Sequence, residues 1–156
     1  MINLYMVSQR LIIHEGLHLQ PYRCSKGKLT IGVGRCLDTN PLTAEEEKVV
    51  GDWQHGITKC AAIYLLRNDI KRIYVELKKK LPFFQSLDSE RQYALIDMSF
   101  NIGISGLLRF KEMLKAIKKH NFKLAAEECL NSKYAKDVGQ RAERIARVLA
   151  TGEFKL

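Results

Sequence analysis

Between Glu15 and Asp38 the chain has no acidic residue, although it carries 17 Asp and Glu in 156 positions. Chemistry built on that stretch therefore runs on one carboxylic acid, Glu15, helped by neutral or sulfur groups. Other absences narrow the class. No apolar run is long enough to span a bilayer, and mean hydropathy is slightly negative at -0.19, so no stable membrane insertion is expected. Residues 1–10 lack the basic, apolar and small-residue regions of a secretory signal. There is no internal repeat and no low-complexity segment. The four cysteines, Cys24, Cys36, Cys60 and Cys129, include no C-x-x-C pair and no cysteine and histidine cluster at zinc spacing. No metal and no cofactor is expected, and free thiols are favoured over a disulfide framework.

What the chain does have is positive charge: 26 Lys and Arg give a formal net charge of +9. Such a surface implies an anionic partner, whether nucleic acid, an anionic membrane or an acidic polymer such as a bacterial wall. Nucleic acid is disfavoured, because no recognition-helix or zinc pattern is present and the basic residues do not interleave with aromatics. The runs Lys78-Lys79-Lys80 and Lys115 to His120 read as solvated helix faces that would also concentrate the protein on an anionic polymer.

The length suits a single domain with a sizeable core. Leu4, Val7, Leu11 and Ile12 recur at helical spacing, which predicts a helix over 3–15 closed by Gly16. Pro21, Gly27, Gly32 and Gly34 punctuate the next segment, and Leu29 to Val33 is β-like, predicting a hairpin or short three-stranded sheet through residue 37. Thr43 and Glu46 form a capping box opening a helix that Gly51 ends. From the Thr58 cap, apolar residues at steps of three and four predict one long helix to Lys80, before Pro82. Helices follow over Asp88–Ile102, Lys111–Lys119, Phe122–Leu130 and Gly139–Ala150. The fold class is α+β and mostly helical.

A helix ending in Glu15-Gly16, a hairpin carrying Thr30-Ile31-Gly32-Val33-Gly34, and an all-helical lobe beginning Ser86-Leu87-Asp88 together resemble the phage-type lysozymes of glycoside hydrolase family 24. Ile57-Thr58-Lys59, Ala94-Leu95-Ile96 with Phe100 and Gly103, and Arg141-Ala142 extend the likeness over most of the chain. The family motif is Glu, eight residues, an acidic residue or cysteine, five residues, Thr. Here it falls on Glu15, Cys24 and Thr30, with cysteine where aspartate is more familiar. The resemblance implies a small α/β lobe over about 13–58, a connecting helix over 59–80, and a helical lobe over 81–156 packed with helix 1–12. The active cleft would lie between the lobes.

The implied activity is hydrolysis of the β-1,4 bond between N-acetylmuramic acid and N-acetylglucosamine in peptidoglycan. Such a reaction needs a proton for the leaving oxygen and stabilisation of an oxocarbenium-like centre. Glu15 is the candidate acid, at the negative end of a helix dipole that favours the neutral carboxyl, while the resemblance adds Arg141 as its partner. Cys24 is either a thiolate that stabilises charge and assists water, or a near-isosteric filler. Thr30 has one hydroxyl and no charge, which suits holding the attacking water. For glycan contact the resemblance points to Cys36, Phe100, Met113 and Glu128, with Asn101 able to donate to an acetamido carbonyl. It also pairs Arg35 with Asp69, an ion pair expected to serve stability. His14 and His18 flank the site without a motif role. A monomer is expected, synthesised in a host bacterial cytoplasm and acting in the periplasm as an endolysin that depends on a separate holin-type pore. The alternative is a catalytically silent wall-binding or cationic membrane-active relative.

Overall fold

The computed structural model describes residues 2–156; Met1, the first residue of the expected single domain, lies outside the described residues. Helix α1 (Leu4–Glu15) is followed by strands β1 (His18–Arg23), β2 (Leu29–Gly32) and β3 (Arg35–Cys36), which form one antiparallel sheet in the order β1-β2-β3. Helices α2 (Ala44–Val50) and α3 (Lys59–Lys80) come next, then α4 (Ser89–Leu108), α5 (Lys111–Lys118), α6 (Phe122–Leu130), α7 (Lys133–Val138) and α8 (Gln140–Thr151). Single 3-10 turns occupy Trp53–His55 and Phe84–Ser86. The architecture is the mostly helical α+β class expected from the sequence.

The caps explain most boundaries. Gly16, at φ +79, donates to Ile12 O at 2.8 Å and ends α1, a conformation that suits glycine. Both halves of the Thr43 and Glu46 capping box are made at the start of α2. The Thr58 hydroxyl accepts from Ala61 N at 3.0 Å and opens α3, and Asp88 caps α4. Two departures stand out. Helix α4 does not stop at Ile102: Gly103, at φ 80 and ψ 160, kinks it, and the helix resumes to Leu108. Helix α7 was not expected at all, because six residues are too few to show a helical period, and its one signal is the Ser132 side chain accepting from Ala135 N.

The chain divides into two compact units within α3. One comprises Leu4–Lys71 and the other Arg72–Leu156 with Ile2 and Asn3. In the first, Ile31, Leu37, Ile57, Ala61, Ala62 and Leu65 form a buried cluster against which Leu17, Leu29 and Trp53 pack. In the second, α6 packs on α5, α7 and α8, and α4 on α8.

The sheet-bearing unit is tied together by a buried cation. Arg35 in β3 is 3% exposed and sends Nη1 and Nη2 to the two carboxylate oxygens of Glu46 at 3.1 and 2.7 Å. Its Nε donates to Asn40 O at 2.8 Å, Nη2 also reaches Pro41 O, and Nη1 lies 3.3 Å from Asp69. The expected Arg35–Asp69 pair is thus present, and Glu46 joins it as a second partner. Burial alone would push the Glu46 carboxyl up, but hydrogen bonds from Arg35, the Thr43 N–H and Asn68 outweigh it and hold it at about 2. Because that value lies below the ordinary 4.5, its stabilisation is complete above pH 4.5 and is lost as pH falls towards 2. Glu46→Gln is expected to lower unfolding free energy at neutral pH by about 3 kcal/mol, since it leaves a buried cation short of one partner. Urea melts across pH 2 to 7 check this, and the variant should show a shallower loss of stability between pH 4.5 and 2 than the parent.

Candidate active site

Glu15, Cys24, Thr30 and Cys36 all fall in the sheet-bearing unit. Glu15 is the last residue of α1, half-buried, one position before the glycine that turns the chain into β1. Across the β1–β2 hairpin, Cys24 N donates to Lys28 O at 2.9 Å and Gly27 N donates to Cys24 O at 2.8 Å, with Gly27 at φ +74. This tight turn fixes Cys24 opposite the backbone of Lys26 and Lys28. Thr30 sits in the middle of the sheet, 4% exposed, with Tyr22 of β1 opposite on one side and Cys36 of β3 opposite on the other. Opposed residues in an antiparallel sheet share a face. Tyr22, Thr30 and Cys36 therefore form one row across it.

The surroundings of Cys24 decide its chemistry. The N–H groups of Lys26 and Lys28 donate to its sulfur and, with the Thr30 hydroxyl, hold the thiol below its ordinary value against the opposing effect of burial. Thr30 has one proton to give and two acceptors in reach: Lys28 O at 3.0 Å and the Cys24 sulfur. Bound to a thiol it can donate to the carbonyl, and bound to a thiolate it can donate to sulfur. Tyr22 is pushed up by burial and by the negative charges of Glu15 and Cys24, so a neutral phenol stands near both groups. Cys129 shows the contrast, its thiol pushed up to about 12 by burial alone. All four cysteines are free thiols.

The remaining sequence candidates lie in the helical unit. Phe100 and Asn101 are half-buried just before the Gly103 kink, and the Asn101 side-chain oxygen is buried with no partner among the described residues. Met113 and Glu128 line one hollow of about 330 Å³, although Met113, at 1% exposed, presents little surface to it. Arg141 donates from Nε to Asp97 Oδ1 at 2.9 Å, and Tyr93 Oη donates to Asp97 Oδ2 at 3.0 Å. Asp97 is fully buried and was not singled out from sequence. Its signal is weak: one acid inside an otherwise apolar turn, four residues after a tyrosine. Asp38, the next acid after Glu15, is taken up by Leu29 N at 2.9 Å and by Arg23. Gly32 and Gly34, at φ +69 and +64, serve the sharp turn from β2 into β3. His18 is exposed and packs its ring on Tyr22 at 4.4 Å. No helix is long and apolar enough to cross a membrane, and the described residues include no cluster of three metal-ligating side chains.

A family model described as phage lysozyme matches residues 13–147. The chain belongs to the phage lysozyme family. It is 29% identical to probable T4-type lysozyme 1 of Dictyostelium discoideum, over 94% of both chains, and 27% identical to probable T4-type lysozyme 2 of the same organism, over 90% of this chain and 91% of that one. It is also 29% identical to the pre-baseplate central spike protein Gp5 of Enterobacteria phage T4, matching 90% of this chain but 27% of that longer protein. Membership makes the chain a glycoside hydrolase of the lysozyme type, with a peptidoglycan-hydrolysing function.

The thiol environments generate a chemical prediction. At neutral pH iodoacetamide should modify Cys24 and spare Cys129 until the protein unfolds, as read by peptide mass spectrometry. The midpoint of the Cys24 rate against pH should lie below that of a free thiol, and Thr30→Val should move it upward.

Proposed function

We propose that this lysozyme cleaves the β-1,4 bond between N-acetylmuramic acid and N-acetylglucosamine with Glu15 as general acid, Thr30 orienting the attacking water, and Cys24 acting as a thiolate. The observation that carries this reading is the set of donors around the Cys24 sulfur, the backbone N–H groups of Lys26, Lys28 and Cys24 itself and the Thr30 hydroxyl. A filler needs no such donors, whereas an anion at that position does. A negative sulfur can stabilise the positive charge that develops on the sugar and can accept a hydrogen bond from a water shared with Thr30. Glu15, at a helix end beside the same hairpin, is the proton source for the leaving oxygen.

On the helical unit, Phe100 offers a ring to a sugar face and Asn101 its side-chain amide. The Asn101 oxygen has no surface to meet a sugar, so the contact we assign is the Asn101 amide nitrogen donating to an acetamido carbonyl. Met113 and Glu128 offer a further contact through their shared hollow, and Arg141, held by Asp97, is a positioning cation. The setting we propose is lysis of a host wall by an endolysin that passes through a separately encoded pore, acting as a monomer on glycan strands.

Reducing-end release from purified Gram-negative peptidoglycan tests the assignments. Glu15→Gln should lower the rate by roughly 10²- to 10⁴-fold with the melting temperature unchanged. Cys24→Ser should lower it substantially, because a serine hydroxyl does not ionise at working pH, and Cys24→Asp should restore a charged group and keep activity. Parent-like rates in Glu15→Gln would sink the acid assignment. Binding to the wall with no release by the parent would favour the catalytically silent reading, which rests on the missing second carboxylate.

A further inference from the structure

The exposed face of α3 carries a feature that includes none of the residues assigned to cleavage above. Residues 59, 63, 67 and 71 form one row at four-residue steps, and residues 60, 64 and 68 form the adjacent row. Between them lies a hollow of about 550 Å³, larger than the one at Met113 and Glu128. Its rim is cationic, from the exposed Lys59, Arg67 and Lys71, and its floor is apolar, from the half-buried Ile63 and Tyr64. No carboxylate lines it. The acids that come near in sequence and space are withdrawn: Asp69 is buried against Arg35, and Glu46, which holds the Asn68 amide at 3.1 Å, is buried against the same cation.

This pattern works against the helix that carries it. Lys59 is the first residue of α3, at the positive end of the dipole, and the first turn holds no acid. Arg67 and Lys71 are four apart and repel, where a solvated helix face gains from acid and base at that spacing. Ile63 and Tyr64 also leave part of their apolar surface open in the hollow between the cations, although Tyr64 packs its other side on the buried cluster around Ile31. An anionic surface with apolar material beneath it removes all three costs together.

We propose that this face of α3 docks onto anionic phospholipid, with Lys59, Arg67 and Lys71 at the phosphate level and Ile63 and Tyr64 towards the acyl boundary. Long basic side chains reach to headgroups while their stems cover apolar surface, and a tyrosine ring suits the boundary between them. A phosphate-bearing polysaccharide matches the rim but leaves the floor uncovered, which favours lipid over wall polymer. Contact is peripheral, consistent with the absence of a helix able to cross a membrane.

Cys60, exposed on the same rim, is a built-in reporter. Co-sedimentation with phosphatidylglycerol-containing vesicles, against pure phosphatidylcholine vesicles, should show binding to the former alone. Maleimide labelling of Cys60, read by peptide mass spectrometry, should slow about tenfold in their presence. The double variant Arg67→Glu with Lys71→Glu should weaken binding by about tenfold or more. Lys118→Glu with Lys123→Glu makes the same change in net charge on exposed residues elsewhere and should leave binding near the parent's. Equal loss in both variants would show diffuse attraction and overturn the site. So would unchanged Cys60 labelling on vesicles, or equal binding to soluble polyphosphate.

Discussion

Arg35 donates from all three guanidinium nitrogens, to Glu46 of α2, to the carbonyls of Asn40 and Pro41, and pairs with Asp69 of α3. Almost nothing of it reaches solvent, so the cation's desolvation is offset only while every one of those partners stays in place. That condition fixes β3 against two helices, α2 and α3, and against the loop that leads from β3 into α2. Since Cys36 follows Arg35 in the same two-residue strand, and Thr30 is its partner in β2, the guanidinium also sets the register of the candidate site. A one-residue slip would turn Thr30 away from the face it shares with Tyr22 and Cys36. The Gly32 and Gly34 turn permits this register and the buried charge holds it.

The proposed site pairs one carboxyl, Glu15 at the end of α1, with one thiol, Cys24 in the hairpin. In a pair of groups of which one must be protonated and the other ionised, the working form carries a single proton on the required group. Ordinary thiols ionise several pH units above ordinary carboxyls, so most singly protonated molecules carry the proton on sulfur, and each unit of separation lowers the working fraction about tenfold. The donors from Lys26, Lys28 and Thr30 act against that penalty by lowering the thiol. On the proposed reading the thiol is tuned mostly by backbone geometry, since three of the four donors, from Lys26, Lys28 and Cys24 itself, are main-chain N–H groups that any sequence possesses.

This explains what the sequence made legible and what it did not. The hairpin was readable because Gly27, Gly32 and Gly34 mark the turns, and the helices opened by Thr43, Thr58 and Asp88 were readable because caps have side chains of known type. The motif residues Glu15, Cys24 and Thr30 were readable from spacing and family resemblance. Their environment was not, because a backbone N–H aimed at sulfur leaves no signature in residue identity. Asp97 escaped for a related reason: an acid in an apolar helix reads as an exposed position until its partners, Arg141 from 44 residues away and Tyr93, are placed beside it. Helix α7 and the continuation of α4 beyond Gly103 are too short for periodicity to register.

The role of the Cys24 thiolate is tested most directly by the pH dependence of kcat/KM for peptidoglycan cleavage in the parent and in Cys24→Asp. If the thiolate participates, the alkaline limb of the parent follows thiol ionisation, and replacing sulfur by a carboxyl moves that limb to lower pH by more than about one unit. Superimposable alkaline limbs in the two proteins would contradict it and leave Cys24 as a space-filling side chain.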